Sequence, residues 1–235
     1  MSAFGGPNII DDGLVLYLDA GNIKSYPGTG TTWFDKSGNA NNGTLTNGPT
    51  FNTGSLGSIV FDGVDDYVDV NRQIQFERTD SFTLSAWINT NDGNNNQIIN
   101  NETEGYRGYQ FSVDSNGKLF LFLRNTVSTN FLGVRMLSNF PSNLWCYVTA
   151  VYNGSSNASG VKLYINGIEQ ITEIAGDNLT STTISNETTW IGRRRPQTQG
   201  PFNGKISIVQ IYNKALTASE VLQNYDATKS RFNLT

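Results

Sequence analysis

Apolar and polar residues alternate with a period of two through nearly the whole chain, which restricts it to β-structure. Phe82, Leu84, Ala86 and Ile88 alternate with Thr83, Ser85, Trp87 and Asn89, the pattern of a strand with one apolar and one mixed face. GLVLYLDA (13–20), GSIVFD (57–62), DYVDV (66–70), YQFSVD (109–114), KLFLFLR (118–124), WCYVTAVY (145–152), VKLYING (161–167) and KISIVQIY (205–212) read the same way. Several are apolar on both faces, as strands are when layers cover both sides.

The connections carry turn chemistry. Asp114-Ser115-Asn116-Gly117 joins two strong strands, and Asn166-Gly167 separates LYI from IEQI. Asn-Gly accepts the positive φ of a tight hairpin, so both are predicted hairpins. Strands at this spacing, without intervening helices, predict an antiparallel sandwich or barrel. One helix is expected near the end. Thr217 and Glu220 have capping-box spacing, and Val221, Leu222 and Tyr225 supply a short apolar face. No linker or internal repeat divides the chain. The expected organisation is an N-terminal arm over 1–12, one domain over 13–226 and a C-terminal tail over 227–235.

Charge limits the partners. A formal net charge of −4 with only 15% charged residues repels polyphosphate, which argues against nucleic-acid binding. No window approaches the roughly 18 uninterrupted apolar residues of a membrane helix, so no membrane insertion is expected. The opening MSAFGGPNIIDDG has no basic region followed by a long apolar stretch, so no secretory signal is expected. Asn, Ser, Thr and Gly must wet the surface. Such a surface suits hydrogen bonding to sugars and suits plain solubility equally well.

Histidine is absent, which removes His-dependent triads and His-ligated zinc. Cys146, the one cysteine, lies in the apolar run LWCYVTAVY and reads as a small buried hydrophobe. Arg193-Arg194-Arg195 follows Trp190-Ile191-Gly192 at a strand end. The three could grip an anionic sugar or an acidic partner surface, or could pair with local carboxylates. Among the aromatics Trp33, Trp87, Tyr106 and Tyr109, the last two bracket Arg107-Gly108 and are the expected exposed stacking platform. Asn94 and Asn95 of NDGNNN are candidate amide donors beside them. FDGVDDYVDV (61–70) gathers Asp62, Asp65, Asp66 and Asp69. The spacing does not match an EF-hand loop, and Asp-Gly is also a turn former.

GLVLYLDA, WFDKSGNANNGTL, GSIVFDGVDDYVDV, SFTLSAWINT, VKLYINGIE, WIGRR and FNGKISIVQIYNKALTASEV, in this order, resemble the laminin-G-like domains of the concanavalin A-like lectin/glucanase superfamily. The resemblance implies an all-β, antiparallel jelly-roll β-sandwich with one short C-terminal helix, whose rim loops or concave face carry ligands in many members. It also implies that calcium is the cation to consider, with Asp62, Asp65, Asp66 and the Asp35 of FDKSGN as candidate ligands. Glucanases of the superfamily use two carboxylates in an E-x-D-x-E-like strand. The nearest run here, Asn101-Glu102-Thr103-Glu104-Gly105, lacks the central Asp, so no enzymatic activity is expected.

The stretch from GPNIIDDGLVLYLDA to GTLTNGPTF further resembles virion proteins of tailed bacteriophages, where such domains serve as capsid decorations and tail or fibre components. The implied role is a virion structural protein or adhesion module, partnered by other virion proteins in a symmetric assembly and presenting loops to host surface glycans. The alternatives are a bacterial carbohydrate-binding lectin domain and, more remotely, a degenerate glucanase.

Overall fold

The computed structural model describes residues 7–90, 96–195 and 200–234. Among them seventeen strands follow one another along the chain. They begin with β1 (Leu14–Asp19), β2 (Thr32–Trp33), β3 (Gly43–Thr46), β4 (Thr50–Asn52), β5 (Ser58–Asp62) and β6 (Tyr67–Asp69). β7 (Phe82–Thr90), β8 (Asn96–Asn100), β9 (Gly108–Val113), β10 (Leu119–Thr126), β11 (Asn130–Met136) and β12 (Cys146–Tyr152) form the middle of the chain. β13 (Val161–Ile165), β14 (Ile168–Glu169), β15 (Thr172–Asp177), β16 (Trp190–Ile191), β17 (Asn203–Tyr212) and the helix α1 (Ala218–Thr228) complete it.

The strands form two antiparallel sheets packed as a sandwich. The first runs β14-β13-β12-β7-β17-β5-β4, with β1 also on β17, and the second runs β15-β11-β10-β9-β8-β16-β6-β3-β2. On the edge away from β7, β17 serves two partners, dividing where it shifts register between Ile206 and Ile208. Residues before the shift pair with β5, and those after it pair with β1. The core lies between the sheets, with Leu84, Ile88 and Val148 of the first facing Phe111, Leu121 and Val134 of the second.

The two-sided apolar strands have a physical reason. Leu84, Ala86 and Ile88 point into the sandwich, and Trp87 points out of it but is also fully buried. α1 and the 3-10 turn Lys229–Phe232 cover that outer face, placing Phe232 against Trp87, Tyr147 and Ile208. Residues 227–234, expected to trail as a tail, are thus part of the packed structure. The reason is that Phe232 removes its ring from water on Trp87, worth about 1.5–3 kcal/mol for a fully buried side chain. α1 starts with the predicted capping box: the Thr217 hydroxyl accepts from the Glu220 N–H, and the Glu220 carboxylate accepts from the Thr217 N–H.

The hairpin chemistry is as the sequence implies. Asn166 and Gly167 both have positive φ, +52° and +79°, which turns β13 directly into β14. Between β9 and β10, one Asp114 oxygen accepts from the N–H groups of Asn116 and Lys118 and fixes the turn.

Candidate functional site

The Arg193–Arg195 run does not form one basic patch. Arg193 donates to the Asp65 carbonyl at 2.7 Å and lies 5.9 Å from the Tyr67 ring centre. Arg194 reaches the Glu102 carboxylate at 3.5 Å and sits 5.0 Å over Tyr106. Arg195 stacks 3.6 Å over Trp190, donates to the Thr188 carbonyl and hydroxyl, and pairs with Glu187 at 3.3 Å. Three consecutive guanidiniums therefore point to three separate neighbourhoods, each with aromatic and oxygen partners.

Glu102 is fully buried between Arg194 and a fourth arginine, Arg124. Arg124 of β10 contacts one carboxylate oxygen and Arg194 the other, while the Asn100 side-chain oxygen accepts from the Glu102 N–H at 2.8 Å. Arg124 also donates to Gln110, which continues into a Gln110–Gln97–Ser112 network on the same face of the second sheet. Both carboxylate oxygens are thereby engaged by guanidiniums away from solvent.

Tyr109, expected at the surface, is a core residue. Strand alternation turns Tyr109, Phe111 and Val113 of β9 inward and Gln110 and Ser112 outward, and the Tyr109 hydroxyl donates to the Ile74 carbonyl at 3.0 Å. Burial pushes that phenol far above its ordinary pKa. Trp33 and Trp87 are also fully buried, so neither offers a stacking platform. Tyr106 is half-buried and Arg107 is exposed in the turn between β8 and β9. Asn94 and Asn95 lie outside the described residues.

The FDGVDDYVDV corner carries the chain from β5 in the first sheet to β6 in the second. Gly63 sits at φ +78°, Asp62 accepts from the Val64 N–H, and Asp66 accepts from the Asp62 N–H at 3.0 Å. The carboxylate oxygens of Asp62, Asp65 and Asp66 come within 4.8 Å of one another. Asp66 is only 3% exposed, and its second oxygen is buried with no hydrogen-bond partner. Desolvation raises its pKa, and the charges of Asp62 and Asp65 push the same way. Such an oxygen is stabilised by a proton or a cation. The donor set fits a hard, oxygen-liganded ion such as calcium, with water or carbonyls supplying the ligands beyond three carboxylates.

Asp35 stands apart from this group. Its oxygens accept from the N–H groups of Tyr17, Ser37 and Asn41 and from the Ser37 hydroxyl, which fixes the 35–41 loop.

That loop builds the feature that the sequence reading missed: a groove of about 810 Å³ at the sandwich rim. β1 and β17 fall out of register between Leu14 and Leu16, at Val15. The Val15 carbonyl there accepts from Ser37, Asn39 and Asn41, which draws the loop against β1. The opposite wall is the 71–76 segment leaving β6, where Ile74 and Phe76 turn inward and Gln73 and Gln75 stay at the surface.

The amide groups of this groove are oriented. The side-chain nitrogens of Asn39 and Asn41 are committed to backbone carbonyls, and that of Asn71 to the Thr44 hydroxyl and the Asp69 carbonyl. Their amide oxygens take no hydrogen bond among the described residues. The lining thus combines amides whose nitrogens are committed with the apolar Val15, Ile74 and Phe76, which suits a ligand that presents hydroxyl donors and C–H faces. The sequence signal was present in GNANN and NRQIQ, two amide-rich runs whose proximity depends on the fold.

A laminin G family model, described as the concanavalin A-like lectin/glucanases superfamily, matches residues 62–222. Among curated protein sequences none matches this chain. Several solved structures share the fold. The binding domain of Paraclostridial Mosquitocidal Protein 1 aligns with 20% identity and a TM-score of 0.67 over 92% of this chain and 52% of its own. The ligand-binding domain of botulinum neurotoxin serotype D, solved with N-acetylneuraminic acid, aligns with 21% identity and a TM-score of 0.64 over 92% and 51%. This chain thus spans about half the length of those toxin domains. Domain 4 of AbnA, an extracellular arabinanase of Geobacillus stearothermophilus solved with arabinotriose, aligns over 90% of this chain and 98% of its own, with 17% identity and a TM-score of 0.66. With a family match over more than half of its residues, the chain belongs to the concanavalin A-like lectin/glucanases superfamily.

Proposed function

We propose that this protein is a non-enzymatic glycan-binding module whose ligand lies in the amide-lined rim groove. The observation that carries the reading is that Asn39, Asn41 and Asn71, whose side-chain nitrogens are committed and whose oxygens take no hydrogen bond among the described residues, line one groove with the apolar Val15, Ile74 and Phe76. Structures of the same fold solved with arabinotriose and with N-acetylneuraminic acid support a carbohydrate ligand. The catalytic alternative has little footing, because Glu102 is closed between Arg124 and Arg194. A glycan array probed with the free protein tests the reading. Retention that falls in an Asn41→Ala, Asn71→Ala double variant supports it, and retention on no chain contradicts it.

We further propose that the module is displayed on a bacteriophage particle, as a capsid decoration or a tail-associated adhesion unit. The support is the resemblance of residues 6–51 to phage virion proteins. Multiplicity is the physical advantage: linking weak sites raises avidity by roughly 10²–10⁴ without new contacts. Co-sedimentation with purified particles from lysates carrying this gene is the expected result. A protein found only in the free fraction contradicts the virion role and leaves the lectin reading standing.

A further inference from the structure

We propose that the rim groove selects oligosaccharides bearing a carboxylate, and that Arg72 reads this charge. The proposal rests on the glycan reading above and adds its ligand class. Of the described residues lining the groove, Arg72 is the only ionisable one, and no carboxylate is among them. Asp69, two residues after Tyr67 on β6, is engaged elsewhere. It accepts from the Asn71 N–H, the Thr188 hydroxyl and the Trp190 indole N–H.

The backbone at Arg72 is pinned, while its side chain is exposed and takes no hydrogen bond among the described residues. The Arg72 carbonyl accepts from the Thr189 N–H at 2.9 Å, and the preceding Asn71, at φ +55°, ties the turn to Thr44 and Asp69. Among the described residues, no hydrogen bond, ion pair or aromatic contact occupies the Arg72 guanidinium, in contrast to Arg193, Arg194 and Arg195. A fixed Cα thus places an exposed planar cation in the lining of a groove where the oxygens of Asn39, Asn41 and Asn71 also take no hydrogen bond among the described residues. The arrangement complements a sugar acid from two sides. Its hydroxyls donate to the amide oxygens, and its carboxylate accepts two parallel bonds from the guanidinium fork. A neutral sugar would meet the same acceptors and leave the cation unused. The chain as a whole carries a net charge of −4, so attraction of an anion must come from this local site.

The test is an affinity panel of sialylated and uronic-acid oligosaccharides, each beside its neutral or carboxyl-esterified counterpart, titrated against the wild-type protein and Arg72→Gln. The expected result is a preference of roughly tenfold or more for the free acid, the scale of one hydrogen-bonded charge pair. It should shrink in high salt and disappear in Arg72→Gln, where the acid falls to the affinity of its counterpart. Because the exposed Arg72 side chain makes no hydrogen bond or ion pair among the described residues, the variant should melt with the wild type. Equal binding of acid and counterpart, unaffected by the substitution, overturns the charge inference and leaves glycan binding intact. A preference for acids that survives Arg72→Gln also overturns it, since another cation would be responsible. Binding of no chain overturns both readings.

Discussion

Phe232 lies face to face with Trp87, ring centres 3.9 Å apart and planes 19° from parallel, and thereby joins the C-terminus to the middle strand of the first sheet. Trp87 is held from a second direction, since its indole N–H donates to the Thr228 hydroxyl at 2.7 Å at the end of α1. The last turn therefore acts as a third layer over β7, β12 and β17. Phe232→Ala should destabilise the domain by about 3–5 kcal/mol, the range for removing a buried aromatic ring. Thr228→Val, which leaves the indole N–H buried and unpaired, should cost about 1–3 kcal/mol. Urea denaturation of the two variants checks both values.

The buried Glu102 predicts a stability effect that is not catalytic. Glu102→Gln leaves Arg124 and Arg194 without their shared anion, a change that costs about 3–5 kcal/mol for a broken buried pair. Urea midpoints should fall accordingly. Reducing-sugar assays should read zero for the wild-type protein, and release that depends on Glu102 would contradict the non-enzymatic account.

At the acidic corner, the raised pKa of Asp66 sets a sign. In the apo protein the folded state holds this proton more tightly than the unfolded one, so ionised Asp66 opposes folding at neutral pH. This cost is relieved as pH falls through the raised folded pKa toward the ordinary carboxylate range. Asp66→Asn should therefore stabilise the metal-free protein at pH 7 and flatten that part of its pH profile. Calcium at a hundredfold excess over its Kd should add about 2.7 kcal/mol to the wild type, a rise in Tm of roughly 5–10 °C, and nothing to the variant. A chelator that leaves the wild-type Tm unchanged in calcium buffer would contradict the site.

Cys146 is buried in β12, and desolvation pushes its thiol up to about 12. A thiol-reactive chromogenic disulfide should leave the native protein unlabelled at pH 8 and label one thiol per chain in denaturant. Fast labelling of the folded protein would mean that this strand opens.

The strands and their faces were legible because alternation and Asn-Gly turns are local properties. Leu84, Ala86 and Ile88 could be placed inward from spacing alone, and the capping box at Thr217 and Glu220 marked α1. What could not be read depends on contacts distant in sequence. Tyr109 looked exposed because Arg107-Gly108 beside it is polar, yet the phase of β9 turns it toward the Ile74 carbonyl. The three consecutive arginines could be read either as a joint grip or as partners of local carboxylates. The fold decides for separate partners, with Arg193 on the Asp65 carbonyl, Arg194 on Glu102 and Arg195 on Glu187 and Thr188. The groove was hidden for the same reason. It needs the loop drawn onto Val15 and the segment after β6 to face each other, and no local pattern encodes that meeting.

Backbone amide chemical-shift mapping, with an oligosaccharide retained on the array as titrant, tests the central claim most directly. The account predicts perturbations centred on Val15, Asn39, Asn41, Asn71 and Arg72, saturating together with one Kd. Perturbations centred instead on Tyr106, Gln110 and Arg124, or none at saturating ligand, would contradict it.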